Sequence, residues 1–177
     1  MTTYVIAGGC FWCIDAAYRR LRGVSEVVSG YSGGGTEQPH YLQVVMGTTG
    51  HAETVRVTFD ETVIPKNVIL DFFFLIHDPT TLNQQGPDVG TMYRSVMFYS
   101  DETQKKEFTA AIQRAQSLWD DTIVTELLPL NRFYPAESEH QDYFNKNPGN
   151  GYCTAIIAPK LAKARANYAQ WFEEVVR

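Results

Sequence analysis

Two cysteines separated by two aromatic residues, Cys10-Phe11-Trp12-Cys13, are the part of this sequence best suited to chemistry. They follow Gly8-Gly9 at the predicted start of a helix, where unpaired backbone N–H groups and a positive partial charge stabilise a thiolate. The thiolate is the nucleophilic form of cysteine. Helical spacing places the Cα atoms of the two cysteines about 5 Å apart, within the span of a disulfide. The segment therefore predicts a nucleophile, Cys10, with a second thiol in reach.

Two other interpretations of the cysteine pair are weaker. Free cysteines are often buried in a core, where they are inert. A zinc site needs two further Cys or His ligands, and His40 and His51 stand at no recognised ligand spacing, so no metal is expected. The intervening Phe11 and Trp12 are either core residues, the commoner fate of aromatic side chains, or the lining of a small apolar pocket beside the thiol.

The elements predicted to position this segment are a mixture of strands and helices. Hydrophobic periodicity predicts strands over residues 4–7, 24–29, 54–59, 95–99 and 123–128, with the third half-buried. It predicts helices over 10–22, 41–46, 67–76, 101–119 and 161–176, with Ser100 or Asp101 as the N-cap of the fourth. The Gly-rich piece at 30–35 is interpreted as a loop. Because no regular βαβ period appears, we expect an α+β fold. Residues 1–177 would form one two-layer α/β sandwich, with helices packed on a mixed sheet and an irregular C-terminal segment.

Composition narrows the class of protein further. The 177 residues are 44% hydrophobic and carry a net charge of -5 without any run of Lys or Arg, so no nucleic-acid partner is expected. Three cysteines are too few for a disulfide scaffold, and an odd number leaves at least one unpaired. We expect no signal peptide and no transmembrane helix, and hence a cytoplasmic enzyme or binding domain.

Several motifs resemble those of the A-type peptide methionine sulfoxide reductases, in the order of that family and over residues 4–165. The first is Gly9-Cys10-Phe11-Trp12. The others are Gly30-Tyr31-Ser32-Gly33-Gly34, Pro39-His40-Tyr41, Gly50-His51-Ala52-Glu53, His77-Asp78-Pro79-Thr80, Gln85-Gly86-Pro87-Asp88-Val89-Gly90, Tyr93-Arg94-Ser95, Ala136-Glu137-x-x-His140-Gln141-x-Tyr143 and Asn147-Pro148.

The resemblance implies a reaction and a set of site residues. The reaction is reduction of the S epimer of methionine sulfoxide, free or in proteins, to methionine. By the family pattern, Cys10 attacks the sulfoxide sulfur and Glu53 protonates its oxygen. Tyr41 and Tyr93 match the tyrosines that bind this oxygen, and Asp88 matches an acid placed nearby through ordered water. Phe11 and Trp12 match the pocket that holds the substrate's methyl group.

The chemistry of a sulfoxide explains why such residues are needed. Its sulfur is weakly electrophilic, and its oxygen leaves only when protonated, so a thiolate and a proton donor must meet at one place. A carboxyl group in an apolar pocket stays protonated because desolvation disfavours its charged form. Without the family pattern, however, Glu53 would be interpreted as an exposed charge before a strand, and any one of the ten tyrosines as a packing residue.

The sequence does not decide which thiol reacts with Cys10 after oxygen transfer. Oxygen transfer would leave Cys10 as a sulfenic acid, which condenses with a second thiol to a disulfide. Many family members have Gly where this chain has Cys13, and they use a cysteine in a Gly-Tyr-Cys context that Gly151-Tyr152-Cys153 resembles. We favour Cys13, which is close by local geometry, whereas Cys153 would have to arrive on a mobile loop over 145–151. Direct resolution by Cys153 and a relay through both thiols are the alternatives.

The resemblance also implies the partners. Thioredoxin or a similar dithiol would act as external reductant, with no bound cofactor, and the enzyme would be a monomer. Two other functions compete with this hypothesis. One is a general thiol–disulfide oxidoreductase using Cys10 and Cys13, against which the chain length and the aromatic pair argue. The other is a non-enzymatic module that binds its ligand in the aromatic pocket, but nothing in the sequence suggests that catalysis is lost.

Overall fold

A computed structural model describes residues 1–174. Over these residues the strands are β1 (Thr2–Ala7), β2 (Val24–Ser32), β3 (Ala52–Phe59), β4 (Gln84–Gln85), β5 (Asp88–Val89), β6 (Val96–Tyr99), β7 (Glu126–Pro129) and β8 (Tyr134–Pro135). The α-helices are α1 (Phe11–Tyr18), α2 (Tyr41–Val45), α3 (Lys66–Ile76), α4 (Glu102–Gln116), α5 (Tyr143–Lys146) and α6 (Ala158–Tyr168). A π-helical turn, Cys153–Ile157, precedes α6. Among the described helices, none combines the length and the apolar character that crossing a membrane requires.

The main sheet is mixed, as the sequence predicts. Its strands lie in the order β7-β6-β1-β3-β2-β8, with β6 and β7 parallel and the other neighbours antiparallel. β4 and β5 form a separate small hairpin. The antiparallel register of β2 and β3 sets Tyr31 opposite Glu53. The α+β prediction, with helices packed on a mixed sheet, is confirmed.

Alternation along β1 divides the core between the two faces of the sheet. Tyr4 and Ile6 belong to the large cluster that includes the buried sides of α1, α3 and α4. Val5 and Ala7 belong to a smaller cluster on the opposite face. Successive side chains of a strand point to opposite faces, so both faces of β1 must be covered by other parts of the chain.

Helix α1 ends at Tyr18, four residues before the predicted end at residue 22. The reason is a long-range pairing that the local pattern does not contain. Leu21 forms an antiparallel bridge with Phe172, and the backbone N–H of Arg22 donates to the carbonyl of Trp171. The chain after α1 therefore turns and pairs with the C-terminal segment at Leu21 instead of continuing the helix.

Strand β2 runs through Ser32, so the loop predicted at 30–35 begins only after it. Gly30 pairs with Thr54 of β3 and with Pro135 of β8. A side chain at Gly30 would collide with the carbonyl of Tyr134 and the ring of Phe133. This glycine is therefore required for the close approach of β8, and it does not mark a turn.

The remaining predicted elements are present with shifted ends. Asp101 caps α4 by accepting a hydrogen bond from the backbone N–H of Gln104 at 2.8 Å, as predicted. The helix predicted over 101–119 ends at Gln116, and the strand predicted over 123–128 is Glu126–Pro129. β3 is more buried than predicted because strands flank it on both sides: only Arg56 and Thr58 are partly exposed.

The C-terminal segment is less irregular than expected. Residues 151–168 are helical throughout, so the predicted helix over 161–176 begins earlier; it ends at Tyr168, and residues 175 and 176 lie outside the described part. Asn150 explains the early start, because its side-chain oxygen accepts the backbone N–H groups of Tyr152 and Cys153 at 2.9 and 3.4 Å. The segment predicted as a mobile loop, 145–151, thus contains the end of α5 and a helix cap.

Candidate active site

Cys10 immediately precedes α1, at the point where β1 gives way to the helix. Its backbone is extended, with φ -59° and ψ 126°, and its carbonyl accepts the N–H of Cys13 at 3.1 Å. Gly9 makes this turn with a φ of +95°, a region that favours glycine. Cys10 is 8% exposed, so the residue is largely shielded from water.

Glu53 lies in β3 beside this turn and is 1% exposed, so its interpretation as an exposed charge is wrong. The backbone N–H of Phe11 donates to its Oε1 at 3.2 Å, whereas its Oε2 has no hydrogen-bonding partner within residues 1–174. Burial raises the pKa of Glu53 to about 8, with a smaller contribution from the charge of Asp88. At neutral pH Glu53 is therefore a buried acid with a proton to give.

The two N-terminal thiols behave as a coupled pair. Burial raises the pKa of Cys10 above its ordinary value, helped by the hydrogen bond with Cys13 and by the charge of Glu53, while the backbone N–H of Trp12 opposes the rise. The hydrogen bond from Cys10 lowers the pKa of Cys13 to about 7. Burial thus outweighs the expected effect of the helix N-terminus on Cys10. Near neutral pH the two sulfurs can share a single proton.

Tyr41 and Tyr93 approach the same centre from two different elements. Tyr41 begins α2, and Tyr93 ends the 3-10 turn Thr91–Tyr93 after the small hairpin. Burial raises the pKa of each phenol, and the charges of Glu53 and Cys10 raise it further in both cases. Both tyrosines therefore keep their protons and can act as hydrogen-bond donors beside Glu53 and Cys10.

Phe11 and Trp12 differ in their exposure to solvent. Phe11 is fully buried and packs on Tyr31 and Tyr41, with ring centroids 5.7 and 6.2 Å apart. Trp12 is partly exposed and stacks on Tyr143 at 3.7 Å with nearly parallel rings. One aromatic residue is thus core and the other is open to a ligand.

Asp88 is linked to the cysteines through a tyrosine of the C-terminal segment. Its Oδ2 accepts the hydroxyl of Tyr152 at 2.6 Å, and this hydroxyl lies 3.6 Å from the sulfur of Cys13. A cavity of about 230 Å³ opens here, lined by Cys10, Asp88, Tyr152 and Lys160 among others. The hairpin β4–β5 and the C-terminal helical segment therefore form one wall of the site.

Cys153 is fully buried in the π-helical turn and all three cysteines are free thiols. Burial raises its pKa, and the charge of Cys13 raises it further. Cys153 thus lies within the electrostatic reach of Cys13, with the backbone of a helix around it. Of the two candidate partners, Cys13 is the one whose pKa is shifted by Cys10.

Two residues of the site received no role from the sequence, although a motif contains them. Glu137 accepts a hydrogen bond from the hydroxyl of Tyr31 at 3.0 Å and from the backbone N–H of Tyr41 at 3.1 Å. His140 accepts the indole N–H of Trp12 at 3.2 Å. The signal for both was the segment Ala136-Glu137-x-x-His140-Gln141-x-Tyr143.

The turn that leads into β3 places Glu53 and offers a matched pair of substitutions. Gly34 donates its N–H to Nδ1 of His51 at 3.0 Å, and an added Cβ would collide with the backbone of Thr49 and His51. Gly35 has open space at the same position. We expect Gly34→Ala to lower the free energy of unfolding by about 1–3 kcal/mol, the usual cost of overpacking.

Urea denaturation checks this expectation, with Gly35→Ala as the control that keeps its midpoint. Equal midpoints for the two variants would show that the backbone at 49–51 can move aside and that the turn does not hold Glu53 rigidly.

Comparison with known proteins shows which family this chain resembles. A family model described as peptide methionine sulfoxide reductase matches residues 2–172. A protein of Paenarthrobacter aurescens named peptide methionine sulfoxide reductase MsrA is 61% identical over 171 residues, 97% of this chain and 98% of the relative. The structure of Mxr1 from Saccharomyces cerevisiae in reduced form superposes with a TM-score of 0.79, at 36% identity, over 86% of this chain and 88% of Mxr1. Mxr1 in complex with Trx2 superposes with a TM-score of 0.55, at 27% identity, over 80% and 84% of the two chains.

Proposed function

Because the chain belongs to the A-type peptide methionine sulfoxide reductases, we propose that Cys10 is the nucleophile and Glu53 the proton donor of its reaction. The chain is an oxidoreductase that reduces methionine sulfoxide to methionine. The observation that carries the assignment is the burial of Glu53, which keeps its carboxyl group protonated beside Cys10. The S epimer is the expected substrate.

The first step transfers oxygen from the substrate to Cys10. The shared proton of the thiol pair moves to Cys13, and the Cys10 thiolate attacks the sulfoxide sulfur. Glu53 gives its proton to the oxygen, and the hydroxyl passes to Cys10. Methionine leaves, Cys10 becomes a sulfenic acid, and the two-electron reduction of the substrate matches the two-electron oxidation of Cys10.

Tyr41 and Tyr93 would stabilise the charge that develops on the sulfoxide oxygen. Both keep their hydroxyl protons and both feel the charge of Glu53 and of Cys10, so donors are already in place when the S–O bond polarises. Asp88 would act through ordered water, since its direct hydrogen-bonding partner is Tyr152 and neither Cys10 nor Glu53. Trp12 would hold the methyl group as the exposed wall of the pocket, and Phe11 would support this wall from the core.

Cys13 would resolve the sulfenic acid. Interaction with Cys10 lowers the pKa of Cys13 to about 7, so Cys13 readily loses the proton that it received in the first step to the departing hydroxyl as its sulfur attacks. The attack releases water and forms a Cys10–Cys13 disulfide. In a second step Cys153, which lies within the electrostatic reach of Cys13, would attack this disulfide, form a Cys13–Cys153 bridge and release the Cys10 thiol.

A thioredoxin would reduce the final disulfide, as the complex of Mxr1 with Trx2 suggests. Substrates would be free methionine sulfoxide and proteins that contain it. Three free thiols suit a reducing compartment, so the proposal places the enzyme in the cytoplasm, as a single domain and a monomer. A general thiol–disulfide oxidoreductase is not favoured, because the named relatives are methionine sulfoxide reductases.

Disulfide mapping after one stoichiometric turnover tests the order of the thiols. Wild type and Cys153→Ser are both expected to form a Cys10–Cys13 bridge at the same rate. Cys13→Ser is expected to lose its sulfenic acid about tenfold more slowly or worse, because Cys153 is reached only after local opening of the helical turn. Mass spectrometry of quenched samples distinguishes the bridged peptides. A Cys10–Cys153 bridge as the first product of the wild type would show that Cys13 is not the resolving thiol.

A further inference from the structure

His140 occupies the centre of an aromatic group without a role in the reaction described above. It ends the 3-10 turn Ser138–His140 and is 5% exposed. Its ring lies 4.2 Å from that of Tyr41, 5.6 Å from that of Phe11 and 5.8 Å from that of Trp12, measured between centroids. His140 thus contacts three of the residues proposed to bind the substrate.

The hydrogen bond with Trp12 fixes the tautomer of His140. An indole N–H only donates, and it donates here to Nδ1 at 3.2 Å. Nδ1 must therefore carry a lone pair. A neutral imidazole with a lone pair on Nδ1 carries its proton on Nε2.

The other side of the ring faces two carboxylates. Nε2 lies 3.8 Å from Oε2 of Glu137 and 3.6 Å from Oε1 of Glu139, and within residues 1–174 it has no hydrogen-bonding partner. Acceptors on this side favour a proton on Nε2, the same tautomer that Trp12 requires. A cation bound to Nε2 would need the opposite tautomer and would break the bond to Trp12. The arrangement of Glu137, Glu139 and His140 is therefore better explained as a set of contacts that orients the His140 ring than as a metal site.

Glu137 connects His140 to a second residue of the site, Tyr41. It accepts the backbone N–H of Tyr41 at 3.1 Å, at the start of α2. The segment 137–140 thus touches both walls of the substrate pocket: Tyr41 through its backbone and Trp12 through His140. Trp12 has its other strong contact with Tyr143, on which it stacks, and stacking alone leaves the indole free to slide in its plane.

We propose that His140 is a positioning residue, which in its neutral Nε2–H form holds the Trp12 indole against the substrate and releases it on protonation. The proposal rests on the role of Trp12 in substrate binding given above. An imidazolium carries N–H groups on both nitrogens, so its Nδ1–H would face the indole N–H, donor against donor. The expected result is weaker substrate binding at acid pH, with the chemical step at Cys10 affected less.

The charges around His140 determine the pH at which this happens. Burial lowers its pKa below the ordinary value, and the carboxylates of Glu137 and Glu139 oppose that effect. Among the aromatic neighbours, Trp12 carries no charge and Tyr41 keeps its proton, because burial raises the pKa of its phenol. Since the ordinary pKa of histidine is about 6.5, His140 is neutral above this pH and is protonated only below it.

Steady-state kinetics over about pH 5 to 8 test the proposal, with an N-acetylated, C-amidated methionine sulfoxide as substrate. The wild-type KM is expected to rise as pH falls below 6.5. In His140→Asn the amide oxygen replaces Nδ1 as acceptor and does not titrate, so its KM should lack this rise. His140→Leu should have a KM about threefold to tenfold higher at all pH values, the effect of one neutral hydrogen bond. Effects common to all three enzymes, such as titration of Glu53, cancel in the comparison.

The indole N–H signals of the three tryptophans provide a readout that does not depend on activity. The Trp12 signal, assigned by its loss in Trp12→Phe, should shift and exchange faster with water as pH falls in the wild type but not in His140→Asn. A Trp12 signal that does not move with pH in the wild type, or that moves equally in His140→Asn, would overturn the proposal. If Trp12 does not bind substrate, the signal will move while KM does not, which separates failure of its assigned role from failure of the inference.

Discussion

Replacement of Cys10 by serine is expected to lower the rate of methionine sulfoxide reduction by about 10⁴-fold or more, the scale seen when an enzyme loses its nucleophile. A serine hydroxyl stays protonated at neutral pH and cannot be oxidised to a sulfenic acid, so the sulfoxide oxygen has no acceptor. The position before α1 tolerates the smaller oxygen atom, so the fold should persist. Single-turnover assays without external reductant check this, because each active molecule releases one methionine per Cys10 oxidised.

Cys153→Ser is the matched control for this experiment, since it removes a buried thiol of the same chain but leaves the first step intact. It should still release one methionine per molecule. Comparable single-turnover release by Cys10→Ser would mean that another thiol attacks the substrate, and the assigned nucleophile would be wrong.

Glu53→Gln is expected to slow the first step by about 10²- to 10⁴-fold, the usual contribution of general acid catalysis. The glutamine amide fills the same space as the carboxyl group and can still accept the N–H of Phe11. It cannot donate a proton as Glu53 does, whose pKa is about 8. The pH profile provides a sharper test. Glu53 must be protonated, so the wild-type single-turnover rate should fall as pH rises through about 8, and the variant should lack the contribution of this titration.

Measurements of stability distinguish the loss of the proton donor in Glu53→Gln from misfolding of the variant. The folded-state pKa of Glu53 is raised above its unfolded value, so its burial is least costly below the ordinary pKa of 4.5 and becomes more costly as pH rises towards about 8. Glu53→Gln should therefore have a higher urea midpoint than the wild type at pH 8. A variant with normal single-turnover kinetics would remove Glu53 from the role of acid, whatever its stability.

The elements around the nucleophile could be predicted from local sequence because their signals are local. A β-branched run, two glycines and a helical period place Cys10 between β1 and α1. Burial of Glu53 could not be predicted in that way. Its exposure depends on β2 and β1 flanking β3 on both sides, and strand order is a property of the whole chain. The resemblance to a family, and not periodicity, singled out Glu53.

Errors in the predicted ends have the same origin. α1 stops early because of Phe172, some 150 residues away, and β2 runs on because Gly30 admits β8. The protonation of Cys10 was misjudged because the helix N-terminus is visible in sequence whereas burial is not. The role of His140 depended on three neighbours that come from three different parts of the chain.

The bridge between Leu21 and Phe172 has a consequence for the newly made protein. Cys10 and Cys13 leave the ribosome early in synthesis, but Tyr152, which contacts Cys13 and lines the cavity at Cys10, comes from the last quarter of the chain. Folding that depends on such distant contacts is completed late. Throughout translation both thiols are therefore open to oxidants, and a nascent chain made under oxidative stress can lose its nucleophile before the protein has ever turned over.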